Sequence, residues 1–355
     1  MIAGPADDRE AAAPASRITY VTIADAAFFV GAVGMLNSLR LTGNHEPVVV
    51  IDVGLTSEQR AILGPHCELR EPPSTKEGPL VVLLKSSMHL LGVTGIVVLL
   101  DTDVVLTRRL TPILDDAAAG NVVVVADQLP ERRFEEWSTV LGLAQPPRSQ
   151  RHVGAGFIAL DLDQWPDFMP RWHELCERVP ASRAELPFDL PHEEFLAHPF
   201  ALPEQDVLNA YLSTEVPAER LSIYELDVFP GPPHNDTLRI VDRRTLRCDN
   251  AGHEPFQLHY WNHPKPWRAD ARPHLAMDAY VELLARLLCA DDVPIRLDPQ
   301  TLPVWLRDDL RGRLVRRTPR HLRRGLRAAL GLLPPGLERR ARDVGGAVAE
   351  RLRLG

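Results

Sequence analysis

The stretch Ile96-Val97-Val98-Leu99-Leu100-Asp101-Thr102-Asp103-Val104-Val105-Leu106 decides how the rest of the chain is read. Five apolar residues, β-branched or Leu, predict a strand buried on both faces, the habit of parallel sheets. Two aspartates follow at i and i+2. In extended backbone such side chains point to one side. Two carboxylates brought together at the end of a buried strand repel unless something compensates them. A hard divalent cation, Mn²⁺ or Mg²⁺, would do so. The carboxyl ends of the strands are also where open α/β sheets bind ligands. Asp-Thr-Asp after a strand equally suits a helix N-cap or a turn, and the tripeptide by itself leaves both readings open.

Composition bounds the answer. The 355 residues allow one large or two modest domains. An apolar share of 45% and a charged share of 25% are ordinary for a globular protein. No run of eighteen apolar residues predicts a membrane span. The first residues carry Asp7, Asp8 and Glu10 rather than a basic-then-apolar leader, so a cytoplasmic protein is expected. Cys67, Cys176, Cys248 and Cys289 are far apart, lack zinc spacing, and read as reduced and structural. Charge is uneven. Residues 307–355 hold fourteen Arg against five acids, a net of +9, which leaves −17 for residues 1–306 of a chain at −8 overall. Such a basic tail predicts contact with an anionic surface; no nucleic-acid partner is expected. Only Lys76, Lys85 and Lys265 break an otherwise all-Arg choice of cation.

Around the central stretch, Ala, Pro and Asp in residues 1–16 predict a disordered tail. Residues 17–24 predict a first strand, ending at Ala24. Asp25 after it suits a base or ribose contact, or an N-cap. Helical spacing over 28–41, a strand over 47–53, and a helix through Leu63 capped by Ser57 make a βαβ start, hence a parallel sheet. The first turn lacks G-x-G-x-x-G, which weakens a dinucleotide reading. A helical piece is predicted over Lys85 to Leu91, and a strand over Val122 to Ala126, ending at Asp127. In Arg151 to Leu160, Gly154 and Gly156 suit close approach of a ligand or a bulge. Residues 165–178 read as helix. The Pro-rich loop 186–203 and the region Asp127 to Trp137 are candidates for an acceptor side. Pro203 to Leu212 reads as a helix with Pro and acids in its first turn. The segment His259-Tyr260-Trp261-Asn262-His263-Pro264-Lys265-Pro266-Trp267 mixes a metal-ligand type, a cation and aromatics. Lys265, between prolines, suits pinning a phosphate as a point charge; a packed aromatic loop with a hydrogen-bonded His259 is the other reading.

The order of these motifs over roughly residues 17–268 resembles glycosyltransferase family 8 and related GT-A-fold sugar-nucleotide transferases. Asp101-Thr102-Asp103 stands at the family's D-x-D. Gly154-Ala155-Gly156 stands at its Asn-Ser/Ala-Gly, Glu204 to Asn209 at its D-Q-D-x-L-N, and His259 to Trp267 at its H-x-x-G-x-x-K-P-W. The resemblance implies a Rossmann-like, mostly parallel α/β sheet with flanking helices over 17–270. A helical extension (271–306) and a basic amphipathic helical tail (307–355) would follow. It implies a nucleotide-sugar donor, usually a UDP-sugar, an unidentified acceptor, and retention of anomeric configuration. Mn²⁺ (or Mg²⁺) would sit on Asp101, Asp103 and His259. Lys265 would contact the diphosphate, Gln205 would lie near the anomeric carbon, and Glu204 near the sugar hydroxyls. Ala24, Asp25, Lys85, Asp101, Gly154, Ala155, Gly156 and Asn262 complete the implied donor side. Gly154 for Asn, Glu204 for Asp and Asn262 for Gly depart from the pattern and bear on the sugar's identity.

Two rival readings stand beside it. Asp101-Thr102-Asp103-Val104-Val105 also resembles the nucleophile loop of haloacid-dehalogenase-type phosphatases, with Asp101 as nucleophile. That family carries the loop near the chain start and needs a later acidic pair after a strand; Asp308-Asp309 has no strand before it. A non-catalytic sugar-nucleotide-binding protein on the same fold is the second. The tail's leucines, at helical spacing among arginines, suit peripheral contact with anionic membranes, or packing on the acidic body or another subunit with the arginines solvated; the membrane reading is the one carried forward.

Overall fold

The computed structural model describes residues 18–73, 84–129, 131–179, 194, 197–232, 237–268, 271 and 278–316. The expected N-terminal tail, Lys76, most of the 186–203 loop and the basic helices beyond residue 316 lie outside them.

The βαβ start forms as β1 (Ile18–Ala24), α1 (Phe29–Leu41), β2 (Val48–Asp52), α2 (Ser57–Leu63) and β3 (Glu68–Arg70). A 3₁₀ segment (Ser86–Leu91) leads into β4 (Ile96–Leu100), β5 (Val104–Leu106), α3 (Thr111–Ala118), β6 (Val122–Ala126) and α4 (Glu135–Leu141). Then come β7 (Val153–Asp161), α5 (Phe168–Glu177), α6 (Pro203–Thr214), β8 (Leu221–Tyr224), β9 (Leu238–Asp242), β10 (Arg247–Asn250), β11 (Gln257–His259) and α7 (Asp278–Cys289). One expected boundary moves. The cap of α2 is Thr56, not Ser57: Thr56 Oγ1 accepts from Gln59 N while Gln59 Oε1 accepts from Thr56 N. Only the residue three before Gln59 can close that reciprocal box.

Seven strands form one sheet in the order β3-β2-β1-β4-β7-β6-β8. All neighbours are parallel except β7, which runs antiparallel to β4 and β6. This is the mostly parallel α/β sheet with flanking helices that the sequence predicts. Strand residues alternate between two cores. Val98 and Leu100 face α1, α3 and α7, whereas Val97 and Leu99 face α4, α5 and α6. A strand clothed on both sides must be apolar throughout, and all five residues of β4 are buried.

The chain leaves β1 toward β2 and β3, then crosses to β4 on β1's other side. The β1/β4 boundary is therefore a topological switch point, with a crevice at its carboxyl ends. Asp25 follows β1 there, Asp101 follows β4, and Asp127 follows β6. Because β7 is antiparallel, its amino end, with Gly154 to Gly156, arrives at the same edge. A register shift against β6, where Val124 faces Ile158 but Val125 faces Gly154, shows that these glycines also sit in a bulge.

α7 shares the core on the α1 face. Asn37 of α1, wholly buried, bonds it in place: Nδ2 donates to Leu287 O and Ile295 O, both at 2.7 Å, and Oδ1 accepts from Ile295 N at 2.9 Å. Replacing Asn37 by Leu takes partners from three buried backbone groups, each worth roughly 1–3 kcal/mol when orphaned. Asn37→Leu is expected to lower the unfolding free energy by about 3 kcal/mol or more in urea denaturation.

Candidate active site

β4 ends at Leu100, and Asp101 to Asp103 form a turn rather than a continued strand. The expectation that extended backbone puts both carboxylates on one side is thus corrected. The turn does that work, and β5 resumes at Val104. β5 then pairs antiparallel with β11, His259 lying opposite Val104. The ladder continues one step through Tyr260 N to Asp103 O at 2.9 Å. Backbone pairing therefore fixes His259 beside the turn. His259 Nε2 lies 3.2 Å from Asp103 Oδ1 and 3.6 Å from Asp101 Oδ2. One ligand atom from each of Asp101, Asp103 and His259 falls within 4.8 Å of the others, a group that could hold a metal ion. Two carboxylates and an imidazole suit a divalent ion that accepts oxygen and nitrogen, such as Mn²⁺.

Gly156 makes the convergence sterically feasible. Asp101 N donates to Gly156 O at 3.1 Å, so β7 runs directly beneath the turn. A Cβ on Gly156 would lie 2.6 Å from His259 Cε1 and 2.8 Å from Asp101 Oδ2. Gly31 of α1 plays the matching part on the other side, where a Cβ would lie 2.6 Å from Trp267 Cη2 and 2.7 Å from Thr102 O.

Both lysines within the described residues are at this cluster. Lys85 Nζ pairs with Asp101 Oδ1 at 2.7 Å, donates to Ala155 O at 3.1 Å, and lies 3.6 Å from Glu204 Oε2. Lys265 Nζ donates to Asp103 Oδ2 at 2.5 Å and Tyr260 O at 2.8 Å. The loop carrying it is pinned by Trp267 Nε1, which donates to Ala27 O, and Trp305 Nε1, which donates to Pro266 O. Charge environment follows from these contacts. Burial pushes the Asp103 carboxyl up, but His259 and Lys265 outweigh that and hold it well below the usual carboxylate range. Burial would lower the Lys85 ammonium, yet Asp101 and Glu204 hold it above its ordinary value. Glu204 goes the other way. Burial pushes it up to about 8, with Lys85 pulling down and Asp101 pushing up.

The remaining predicted residues separate into groups. Gln205 is clamped: Nε2 donates to Asp127 Oδ2 at 3.0 Å and lies 3.1 Å from His152 Nε2, while Oε1 accepts from Ala155 N at 3.3 Å. Burial, then Arg132 and Arg151, push His152 down to about 3, so its ring is neutral and Nε2 accepts. Ala155 therefore joins the lysine cluster, through its carbonyl, to the glutamine clamp, through its amide. Ala24 is buried at the end of β1. Asp25 Oδ1 accepts from Phe28 N at 2.9 Å and closes the turn before α1, whose N-cap is Phe28 without a side-chain cap bond, so Asp25 does not cap the helix. Gly154 lies by the clamp, its Cβ position 3.5 Å from Asp127 Oδ2, and Asn262 is exposed on the loop before Lys265.

Several residues escaped the sequence reading. His152 and Arg132 carry no local pattern. Arg132 makes a two-point pair with the wholly buried Asp206, Nε to Oδ1 and Nη2 to Oδ2, both at 3.1 Å, and donates to His198 O. Asn209 exchanges hydrogen bonds with both backbone groups of Val153, which ties α6 to the mouth of β7. Asp308, the acid that the phosphatase reading would need, is paired with Arg243 and Arg313.

The sequence matches no family model and no curated protein. Among solved structures, the chain is similar to the galactosyltransferase LgtC in complex with donor and acceptor sugar analogs. The identity is 19%, with 77% of this chain and 98% of that chain covered and a TM-score of 0.48. It is similar to the bifunctional glycosyltransferase WbbM at 16% identity, 79% of this chain, 50% of that one and a TM-score of 0.48. The glycosyltransferase GlyE of Streptococcus pneumoniae TIGR4 gives 13% identity, 76% and 60% coverage and a TM-score of 0.45. The chain thus spans about half the length of WbbM and three fifths of GlyE.

Two outcomes follow from this geometry. Gly156→Ala should leave the fold intact but weaken divalent-metal binding at least tenfold, read by paramagnetic resonance of Mn²⁺. Arg132→Met should cost about 3–5 kcal/mol, because it strands the buried Asp206. Arg132→Met with Asp206→Leu should recover most of that in the same denaturation experiment.

Proposed function

We propose that the chain is a GT-A-type glycosyltransferase that moves a sugar from a nucleotide-sugar donor, a UDP-sugar, to a hydroxyl acceptor with retention of configuration. The observation that carries this reading is the meeting of Asp101, Asp103 and His259 with Lys85 and Lys265 at the crevice beside the sheet's switch point. The catalytic domain is assigned to residues 17–270, with 271–306 as a helical extension.

Asp101, Asp103 and His259 would hold Mn²⁺ (or Mg²⁺). When bound, the ion supplies Lewis-acid stabilisation of the leaving diphosphate. Lys85 and Lys265 add fixed positive charge on two sides of the same place, a preorganised electrostatic contribution to departure of the nucleotide. Gly154 to Gly156 and Asn262 form walls of the donor side, with Ala24 and Asp25 toward the nucleoside. Glu204 would face the sugar hydroxyls. Gln205 presents a neutral amide, held by Asp127, His152 and Ala155, toward the reacting carbon. The nearby carboxylate of Asp206 is wholly enclosed by Arg132 and Leu202 N and so is not offered as a nucleophile. Front-face attack by the acceptor is therefore the retaining route these residues favour.

The acceptor side is assigned to the region after Asp127 and the loop over 186–203. Among the described residues no helix is long and apolar enough to cross a membrane. Residues 307–355, with a net charge of +9, are assigned to peripheral contact with anionic membranes. Where the tail begins it is tied to the body: Arg316 Nε donates to Glu282 Oε2 at 2.6 Å, and Leu310 beside it stays 75% exposed.

With Mn²⁺, the protein should release UDP from at least one UDP-hexose, and Asp103→Asn should lower that rate by about a hundredfold or more. Phosphate release from p-nitrophenyl phosphate without any UDP release would instead establish the phosphatase, and neither activity would leave a binding protein. At low salt the full-length chain should co-sediment with anionic vesicles, and a chain ending at residue 316 should not. Equal recovery of both in the supernatant would assign the tail a structural role.

A further inference from the structure

Lys265 stands between Pro264 and Pro266, and neither proline has an N–H to give. The loop that carries the lysine is held by indole N–H groups. Trp267 Nε1 reaches out to Ala27 O at 2.6 Å, and Trp305 Nε1 reaches in to Pro266 O at 2.7 Å, on the residue next to the lysine. The second of these holds comes from the far end of the described chain, so whatever seats Trp305 bears on where Lys265 stands.

Trp305 lies in a 3₁₀ turn, Val304–Leu306. Arg316, its side chain 7% exposed, closes over that turn. Its Nη1 donates to Trp305 O at 2.7 Å and to Arg307 O at 2.9 Å, while its Nε donates to Glu282 Oε2 of α7 at 2.6 Å. Arg243 pairs with the same Glu282 at 2.8 Å and with Asp308 at 2.6 Å, and so braces the acids without touching those carbonyls. Gly312 lets the helical turn over 310–316 lie directly on the 3₁₀ turn, for a Cβ there would run into Arg307 O and lie 2.8 Å from Val304 O. A continuous path of hydrogen bonds and backbone therefore runs from Arg316 through Trp305 and Pro266 to Lys265, whose Nζ meets Asp103. A guanidinium that grips two carbonyls and a carboxylate at once fixes its neighbours more firmly than a single bond does.

We infer that Trp305 and Arg316 are positioning residues for Lys265, so that the donor's diphosphate is gripped at full strength only with the base of the C-terminal tail seated on the body. The inference rests on the reading of Lys265 as a diphosphate contact. It adds that residues beyond the assigned catalytic domain complete the donor site, and that they act through the lysine rather than by touching the donor.

The test is calorimetric binding of UDP to the full chain in saturating Mn²⁺, at a temperature well below the melting point of each variant. Trp305→Phe keeps an aromatic ring and removes the N–H; it should weaken UDP at least threefold. Arg316→Met, which unseats the 3₁₀ turn, should do the same and carries the expectation if Trp305→Phe fails to fold. Lys265→Met should weaken UDP at least tenfold, and adding Trp305→Phe to it should change nothing further, since residues that act through one another are not additive. Arg243→Met removes ion pairs to the same two acids and should keep wild-type affinity for UDP, whatever it does to the melting point. Wild-type affinity in both Trp305→Phe and Arg316→Met overturns the inference. So does an equal loss from Trp305→Phe with and without Lys265, or a loss in Arg243→Met that matches that in Arg316→Met, because either result means a general loosening of the fold. A wild-type chain that binds no UDP removes the donor site itself, and the inference with it.

Discussion

Two carboxylates at the end of a strand buried on both faces must be neutralised, and most of the site answers that constraint. Isolated ionised groups are costly to bury, yet Asp103 is nearly enclosed and remains charged because Lys265 and His259 stand against it. The compensation is drawn from distant parts of the chain. Lys85 precedes β4, His259 belongs to β11, and Lys265 follows β11 on a loop fixed by two tryptophans. A fold that brought the aspartates together without these partners would pay for it in stability.

The sheet topology makes such a meeting possible. Parallel strands alone would deliver only their carboxyl ends to the crevice, and each would leave by a helix. The antiparallel β7 delivers its amino end instead, and with it backbone free of side chains at Gly156. The short β5–β11 pairing then sets the imaginary line between His259 and the turn by main-chain hydrogen bonds, independent of side-chain packing. The positions of the three metal-type ligands are thus set largely by backbone geometry.

How much of this was legible depended on whether a residue's role was local. The α/β class was readable because β4 and β6 are apolar throughout and the βαβ start has a clear period. The aspartate pair was readable as a pair, though its geometry was not: a turn and an extended strand can each put i and i+2 on one side. The scarcity of lysine pointed to Lys85 and Lys265, since an isolated exception in an arginine-rich chain is a local signal. The positions of His259, Gln205 and Glu204 came through resemblance of motif order. Arg132, His152 and Gly31 were not readable. Their partners, Asp206, Gln205 and the Trp267–Thr102 contact, are distant in sequence, so no spacing rule reaches them. The cap of α2 was misplaced by one residue because Thr56 and Ser57 are both cap-forming types, and only the Gln59 reciprocal bond separates them.

The segment 204–209 shows why distant partners matter. Each of its polar side chains is engaged by a different element: Glu204 by Lys85, Gln205 by Asp127 and His152, Asp206 by Arg132, and Asn209 by Val153. Such a network at the head of a helix gives little net stability, since buried ion pairs roughly repay their own desolvation. What it gives is a single arrangement. If Asp206 were loose, α6 could rotate and Gln205 could exchange partners; with Arg132 gripping both carboxylate oxygens and Asn209 gripping both backbone groups of Val153, it cannot do so without orphaning several buried groups at once. The amide of Gln205 is therefore oriented before any ligand arrives. It shares Ala155 with Lys85, so the orientation is referred to the same strand that sets the aspartate cluster. One strand residue thus holds the neutral and the charged halves of the site in register.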